Sequence, residues 1–424
     1  MPRGVGGGED VTVVGYGESV NNTNVLPEAS AASRIATVDV VRGLALVGTL
    51  ATNIWVFSHP WGLWGMLNDP VLPGASASAA TTQLVLMALA QGKFLALLSL
   101  TFGVGLAVQH RAARRRGRPW PGRYLWRTTL LLIDGIVNYV LIAEFDVLMG
   151  YAVTAAVVSV LLLTRPRAQR TMILVFGGLH VALITALVLL LTVVPGVDAD
   201  AALPAGPSPY ATESFLGLAL FRLDNIAVFR AEPVLIGLLS LAMFLTGAAL
   251  LRADVFGAGG ARLRRRLMIA GALAAPADLA LALTASPAGL LMERYVVAPV
   301  VALGILGLVA DMCLRRGTDG WLARRSTEIG RVALSAYLLQ NLLGGAVFYG
   351  WGLGLAESTQ AWRVPVTIAA FIVITVLVAA FAHLWGRRFT LGPVEWLWRA
   401  AADGRAPRAA IRRERPRSHA AVAD

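Results

Sequence analysis

The sequence is short of charge. Only 15% of its 424 residues are Asp, Glu, Lys or Arg, whereas a soluble domain carries about a quarter because its surface must face water. That shortage excludes a water-soluble globule as the form of the whole chain. Lysine is almost absent: Lys93 stands alone among 37 cationic side chains, and the others are arginine. Cysteine is reduced to Cys313, inside an apolar run, which rules out an intrachain disulfide and a cysteine-ligated metal site. Zinc-ligand spacings, a Walker loop, a nucleophile elbow and a dinucleotide fingerprint are all missing, so no metal is expected. The first thirty residues lack the apolar segment of a cleavable signal peptide and read as a polar tail.

Apolar residues fill the space. The chain is 57% hydrophobic with a mean hydropathy of +0.66. A helix needs roughly 20 apolar residues to cross a bilayer. Ten runs approach that length, at 36–58, 82–108, 128–143, 147–164, 171–194, 233–251, 267–286, 295–314, 330–349 and 365–386. The expected fold is an all-α, polytopic integral membrane protein of about ten transmembrane helices. The third and fourth runs are short and close together, so a broken or re-entrant pair is the alternative there. The expected divisions are a tail (1–33), an N-terminal membrane half (34–232), a C-terminal membrane half (233–403) and a basic tail (404–424).

The net charge of +12 would suit nucleic acid, but its distribution points to a bilayer. Arginines crowd alternate loops: Arg111 to Arg127, Arg165 to Arg170, Arg252 to Arg266 and Arg315 to Arg325. The loops between them hold only Arg222, Arg230, Arg294 and Arg363. Cation-rich loops stay in the cytoplasm, so both termini are expected there and nucleic acid is not an expected partner. The Ala, Gly and Arg bias suggests a bacterial plasma membrane. The HPWGLWGMLNDPVLPG stretch mixes Trp with Pro and Gly, as a segment at headgroup level does. Pro and Gly in the 195–232 loop exclude a long regular element.

Ionisable groups inside spans each need a reason, since insertion of one costs about 2.5 kcal/mol or more. Asp39 and Arg42 lie three apart on one helical face, as an interfacial ion pair or as an anchor for a cytoplasmic ligand. Lys93 lies roughly 16 Å deep at 1.5 Å per residue. It either pairs with a buried carboxylate, with Asp278 the candidate, or lines a polar cavity. His59 ends the first span, and Glu144 and Asp146 flank the tight turn after the third, just beyond Asn138. His180, His383, Gln340 and Asn341 read as helix-to-helix hydrogen-bonding groups. The GVGLAV stripe after Phe102 reads as close helix packing.

Five segments together resemble one family: RIATVDVVRGLALVGTLATNI (34–54), GKFLALLSLTFGVGL (92–106), EFDVLMGYAV (144–153), GRVALSAYLLQNLLGGAVFYGWGLGL (330–355) and LGPVEWLWRAA (391–401). The chain looks like a member of the YeiB-like family, whose C-terminal half is the domain of unknown function 418. More distantly it is similar to transmembrane acyltransferases such as heparan-alpha-glucosaminide N-acetyltransferase. The shared opening is Arg34, Asp39, Arg42, Gly43 and Asn53. In that enzyme an active histidine follows the first helix, and His59 holds the similar position here. Many relatives carry a Gly-x-x-His pattern where this chain has Asn138, which can keep a hydrogen bond but not a proton transfer.

The resemblance implies transfer of an acyl group from a cytoplasmic thioester, with acyl-CoA as donor, to an extracytoplasmic lipid, glycan or small-molecule acceptor. Asp39 and Arg42 would hold the donor. His59 would be the base or acyl carrier, assisted by Glu144 or Asp146, with Asn53 or Asn138 as oxyanion donors. The alternative is a secondary transporter of a small or lipid-like solute, using Lys93, Asp278 and Glu144 as a buried relay. A continuous cavity from the Asp39 end to His59 would favour transfer.

Overall fold

The computed structural model describes residues 25–193 and 206–403, and the expected basic tail from 404 lies outside them. The described residues form helices and turns with no β-strand. This follows from the composition, because backbone groups in hydrocarbon must be satisfied within each segment, and a helix does that.

In chain order the helices are α1 (Val25–Phe57), α2 (Gly62–Asn68), α3 (Ala77–Ala90), α4 (Lys93–Arg115), α5 (Arg123–Val137), α6 (Leu148–Leu161) and α7 (Pro166–Val193). Short pieces follow: α8 (Pro209–Thr212), α9 (Phe215–Asp224), α10 (Ile226–Phe229) and α11 (Ala231–Leu235). Then come α12 (Gly237–Arg252), α13 (Ala261–Leu283), α14 (Pro287–Met292), α15 (Ala298–Arg316) and α16 (Trp321–Arg331). The chain closes with α17 (Ala333–Phe348), α18 (Leu355–Ser358), α19 (Arg363–Arg388) and α20 (Pro393–Asp403).

All ten expected runs are helical, but they are not ten equal spans. Among the described residues, seven helical stretches are long and apolar enough to cross a membrane, and an eighth counts if the pair 226–252, bent by 42°, is one crossing. The remaining two, Leu148–Leu161 and Ala333–Phe348, are shorter apolar helices. The close third and fourth runs resolve into α5, a π-turn at Asn138–Ile142, a turn, and the short α6. The first helix also begins at Val25, inside the stretch expected as a tail.

Small residues set the packing, as they must where lipid tails compete equally for apolar contact. A Cβ on Gly103 would strike the Phe244 carbonyl, and one on Gly247 the Leu100 carbonyl, so α4 and α12 touch backbone to backbone. Gly271 and Gly304 do the same for α13 and α15, and Gly43 and Gly330 for α1 and α16. The GVGLAV stripe thus serves helix packing. Outward, α7, α13 and α19 present leucine, isoleucine and valine; Leu174 and Leu273 are about three-quarters exposed, as a lipid-facing surface requires.

Candidate functional site: three cavities and two buried charge clusters

A cavity of about 480 Å³ opens at the arginine-rich end between α1, α4, α5, α17 and α20. Arg42, Arg127, Arg331 and Arg399 line it together with Gln109 and Tyr124. Leu46, Leu98, Phe102, Leu106, Leu131 and Leu334 make its walls apolar. Asp39 stands behind Arg42 at 3.2 Å and receives Arg331 at 3.9 Å. That pair keeps the guanidinium of Arg42 aimed beside the Gly330 carbonyl, 3.4 Å away. A second cavity of about 500 Å³ adjoins it under the α4–α5 loop, sharing Gln109, Tyr124 and Arg127 and adding Arg116, Arg118, Trp120 and Arg123. Guanidinium groups recognise phosphate and carboxylate by paired hydrogen bonds. Such a mouth suits an anion carrying an apolar chain.

Leu148 of α6 and Tyr337 of α17 also line the first cavity. Beyond it lies a third cavity of about 420 Å³, lined by Asp146, Val147, Met149, Tyr151, Arg230 and the Glu232–Gly237 bend. The two chambers meet across one layer of side chains: Leu131 faces one and Leu132 the other, and Phe102 packs on Tyr151 with ring centroids 4.9 Å apart. The wall is closed. His59 lines none of these three cavities, so they do not make up the continuous path from the Asp39 end to His59 that would favour transfer.

Around the turn 143–147 is a knot of buried charge. Glu144 is fully buried and takes Arg222 Nε at 3.3 Å, the Tyr349 hydroxyl at 3.2 Å and the Leu63 amide at 3.5 Å. Arg222 also donates to the carbonyls of Val140 and Ile142, which the π-turn leaves open. Asp146 is held differently. Asn138 Nδ2 donates to it at 2.8 Å and the Met149 amide at 2.9 Å, while Arg230 stays 4.0 Å away. Arg230 instead donates to the carbonyls of Glu144 and Asp146 and lies over the Tyr139 ring. Burial pushes the Asp146 carboxyl above its usual range.

His59 and Asn53 are elsewhere. The His59 ring is 3% exposed, its Nε2 donates to the Asp69 carbonyl at 3.1 Å, and its Nδ1 accepts the Trp61 amide at 3.0 Å. Both nitrogens are thus occupied in stitching the Trp-rich segment 59–70. Burial and the nearby Arg363 guanidinium hold the imidazole well below its usual pKa. Asn53 is partly buried in α1 and lines none of the three cavities. Asn138, by contrast, sits against Asp146.

Lys93 pairs with Asp278 at 2.6 Å, the partner expected from depth, and also with Glu293 at 3.0 Å. Sequence reasoning did not single out Glu293, Arg222, Arg230 or Arg363. One signal pointed to the arginines: the four that departed from the alternating pattern are all engaged. Arg222 and Arg230 serve the turn, Arg294 reaches Glu232 at 2.6 Å, and Arg363 donates to the carbonyls of Trp55 and Pro70.

Comparison with known proteins agrees with the five-segment resemblance. Residues 250–405 match the family described as Protein of unknown function (DUF418). The uncharacterized protein YeiB of Escherichia coli (strain K12) is 30% identical over 395 residues, covering 86% of this chain and 95% of the relative. The uncharacterized protein YxaH of Bacillus subtilis (strain 168) is 27% identical over 395 residues, covering 87% and 94%.

Proposed function

From the premise that the chain belongs to the YeiB-like DUF418 family of helical membrane proteins, we propose that it is a plasma-membrane acyltransferase. The carrying observation is the pair of chambers flanking one closed layer, with arginines at the outer mouth of one and Asp146 in the other. An acyl-CoA bound at the arginine-rich end, taken as cytoplasmic, would place its phosphates on Arg42, Arg127 and Arg331 and its acyl chain along Phe102 and Leu131. The acceptor, a lipid, glycan or small molecule with a hydroxyl or amine, would occupy the chamber at the Glu232–Gly237 bend.

Transfer requires the side-chain layer between the two chambers to part. Asp146 would then take the acceptor proton as its oxygen or nitrogen attacks the thioester carbonyl. The new C–O or C–N bond forms, the C–S bond breaks, and the thiolate leaves to be protonated as free thiol. A carboxylate raised by burial is the better general base near neutral pH. Asn138 and the Met149 amide would orient it. His59 and Glu144 act in this scheme as positioning groups, His59 by fixing the 59–70 segment, whose Leu63 amide donates to Glu144.

Inverted membrane vesicles containing the protein would be given labelled acetyl-CoA, and label and free thiol followed. Gradient-independent thiol release with label in an acceptor, lost in Asp146→Asn, is expected. Release unaffected by Asp146→Asn would remove Asp146 from the chemistry. Absence of any release, together with gradient-driven solute flux, would replace acyl transfer by secondary transport. The buried Lys93 cluster is the observation that favours that second reading.

A further inference from the structure

Lys93, Asp278 and Glu293 come from three helical segments whose backbones are all irregular at this point. The α3–α4 run breaks at Gln91 and Gly92, with Gly92 at φ +74°. A Cβ there would collide with the Arg294 carbonyl, so only glycine admits this approach. Glu293 opens a π-turn over 293–297, and α13 carries Pro276 just before Asp278. Irregular backbone at membrane depth recurs where helices build an ion or substrate site.

The charge count does not close. The Lys93 ammonium spends its three protons on Asp278 Oδ2 at 2.6 Å, Glu293 Oε1 at 3.0 Å and the Gln91 carbonyl at 3.2 Å. One cation therefore faces two carboxylates. The residues Lys93, Asp278 and Glu293 are 4%, 2% and 0% exposed, so bulk solvent does not reach the cluster. The far oxygens, Asp278 Oδ1 and Glu293 Oε2, are buried without a hydrogen-bond partner. Two ionised carboxylates at one site repel, and one of them keeps its proton.

Neighbouring charges reduce the deficit without closing it: the Arg294 guanidinium acts on Glu293 from the adjacent residue, but counting it brings in Glu232 as well, so two cations face three carboxylates. Arg294 is committed to Glu232 at 2.6 Å, which also accepts the Tyr295 hydroxyl at 2.8 Å. From α7 only His180 approaches, and its Nε2 is hydrogen-bonded to the Tyr295 carbonyl at 3.1 Å. The packed helix α3 brings no ionisable residue. Among the described residues no cluster suited to a metal ion occurs here, whereas a proton needs only the two open oxygens.

We propose that Lys93, Asp278 and Glu293 form an intramembrane proton-binding site, holding one exchangeable proton on the two carboxyls at neutral pH. Release of that proton leaves the cluster negative in a low-dielectric interior, so it departs only when the α3–α4 break or the π-turn moves to admit water. This site does not rest on the acyl-transfer reading, and its test does not measure activity.

Infrared difference spectra of the purified full chain in lipid nanodiscs would compare neutral with alkaline pH. The wild type should show the carbonyl stretch of a protonated, desolvated carboxyl, lost at alkaline pH as one proton per chain is released. Glu293→Gln and Asp278→Asn should each remove that signal, because the remaining carboxylate pairs with Lys93. Lys93→Met should raise it about twofold, because both carboxyls then stay protonated in a buried site. If the carboxylate variants do not fold, the lysine variant decides alone. An unchanged signal in Lys93→Met, or full wild-type signal in both carboxylate variants, overturns the proposal.

Discussion

Two buried charge clusters serve this protein in opposite ways. At the 143–147 turn, two carboxylates face two arginines, and the arginines also satisfy open carbonyls of the π-turn. At Lys93, two carboxylates face one cation, and an oxygen of each stays unpartnered. Balance locks a turn in place. Imbalance leaves a group ready to exchange a proton. Burial alone therefore does not tell a lock from a proton-exchanging group; the count of charges and open lone pairs separates Glu144, held by Arg222, from the Lys93 cluster, and Asp146, 4.0 Å from Arg230, stands between the two.

The largest effect that tests this contrast is expected at Arg222. Arg222→Met leaves Glu144 without its cation in a dry site, and breaking a buried pair from one side costs about 3–5 kcal/mol. Thermal unfolding in detergent should show a lowered midpoint or no folded protein. Glu293→Gln should leave the midpoint close to wild type, since it mimics the protonated acid. Equal losses in the two variants would erase the distinction between the clusters. Within the turn, Asp146→Asn should instead keep the fold and lower thiol release by about a hundredfold or more, the usual contribution of a general base. A stability loss as large as that of Arg222→Met would make Asp146 another part of the lock.

The same contrast explains what the sequence disclosed. The helices were legible because apolar runs at bilayer length leave the backbone few alternatives. The Asp39–Arg42 pair and the Lys93–Asp278 pair were legible because charge at depth demands a partner, and helical spacing or equal depth suggested which. Glu293 was not, because it falls just ahead of the expected run 295–314, whereas the helical stretch itself begins at Pro287. The reach of Arg222 and Arg230 to the turn depends on how α9 to α11 fold back so that α9 packs on the π-turn at Asn138–Ile142, which no local pattern encodes. Their departure from the arginine alternation was the available signal. His59 shows the converse: a histidine placed where an active one is expected can have both ring nitrogens occupied.

A smaller effect follows for His59. Its folded pKa lies below the ordinary value, so at mildly acidic pH the unfolded chain binds a proton that the folded chain refuses. Stability is then complete above about pH 6.5 and declines as pH falls below it. His59→Gln should lower the midpoint modestly at neutral pH, at about 1 kcal/mol for each ring hydrogen bond not replaced. It should also flatten the decline between neutral and mildly acidic pH. A decline as steep as the wild type's in His59→Gln would assign the acid sensitivity to another group.

The smallest effect is expected at the cavity mouth. Arg42, Arg127, Arg331 and Arg399 line it together, so an anionic donor loses only one of several contacts when one is removed. Arg42→Gln should weaken acyl-CoA binding about tenfold, as one charge-assisted hydrogen bond implies. The loss should shrink as salt is raised, because exposed charges are screened within about 10 Å at 0.1 M. Binding measured by calorimetry in nanodiscs, with acetyl-CoA and a long-chain acyl-CoA side by side, separates the two parts of the site. The arginine variant should weaken both donors equally, since both present the same phosphates. Leu131→Asn, in the apolar wall, should penalise only the long chain. If Leu131→Asn weakens both alike, the acyl chain does not run along that wall, and the chamber beyond Arg42 belongs to some other part of the ligand.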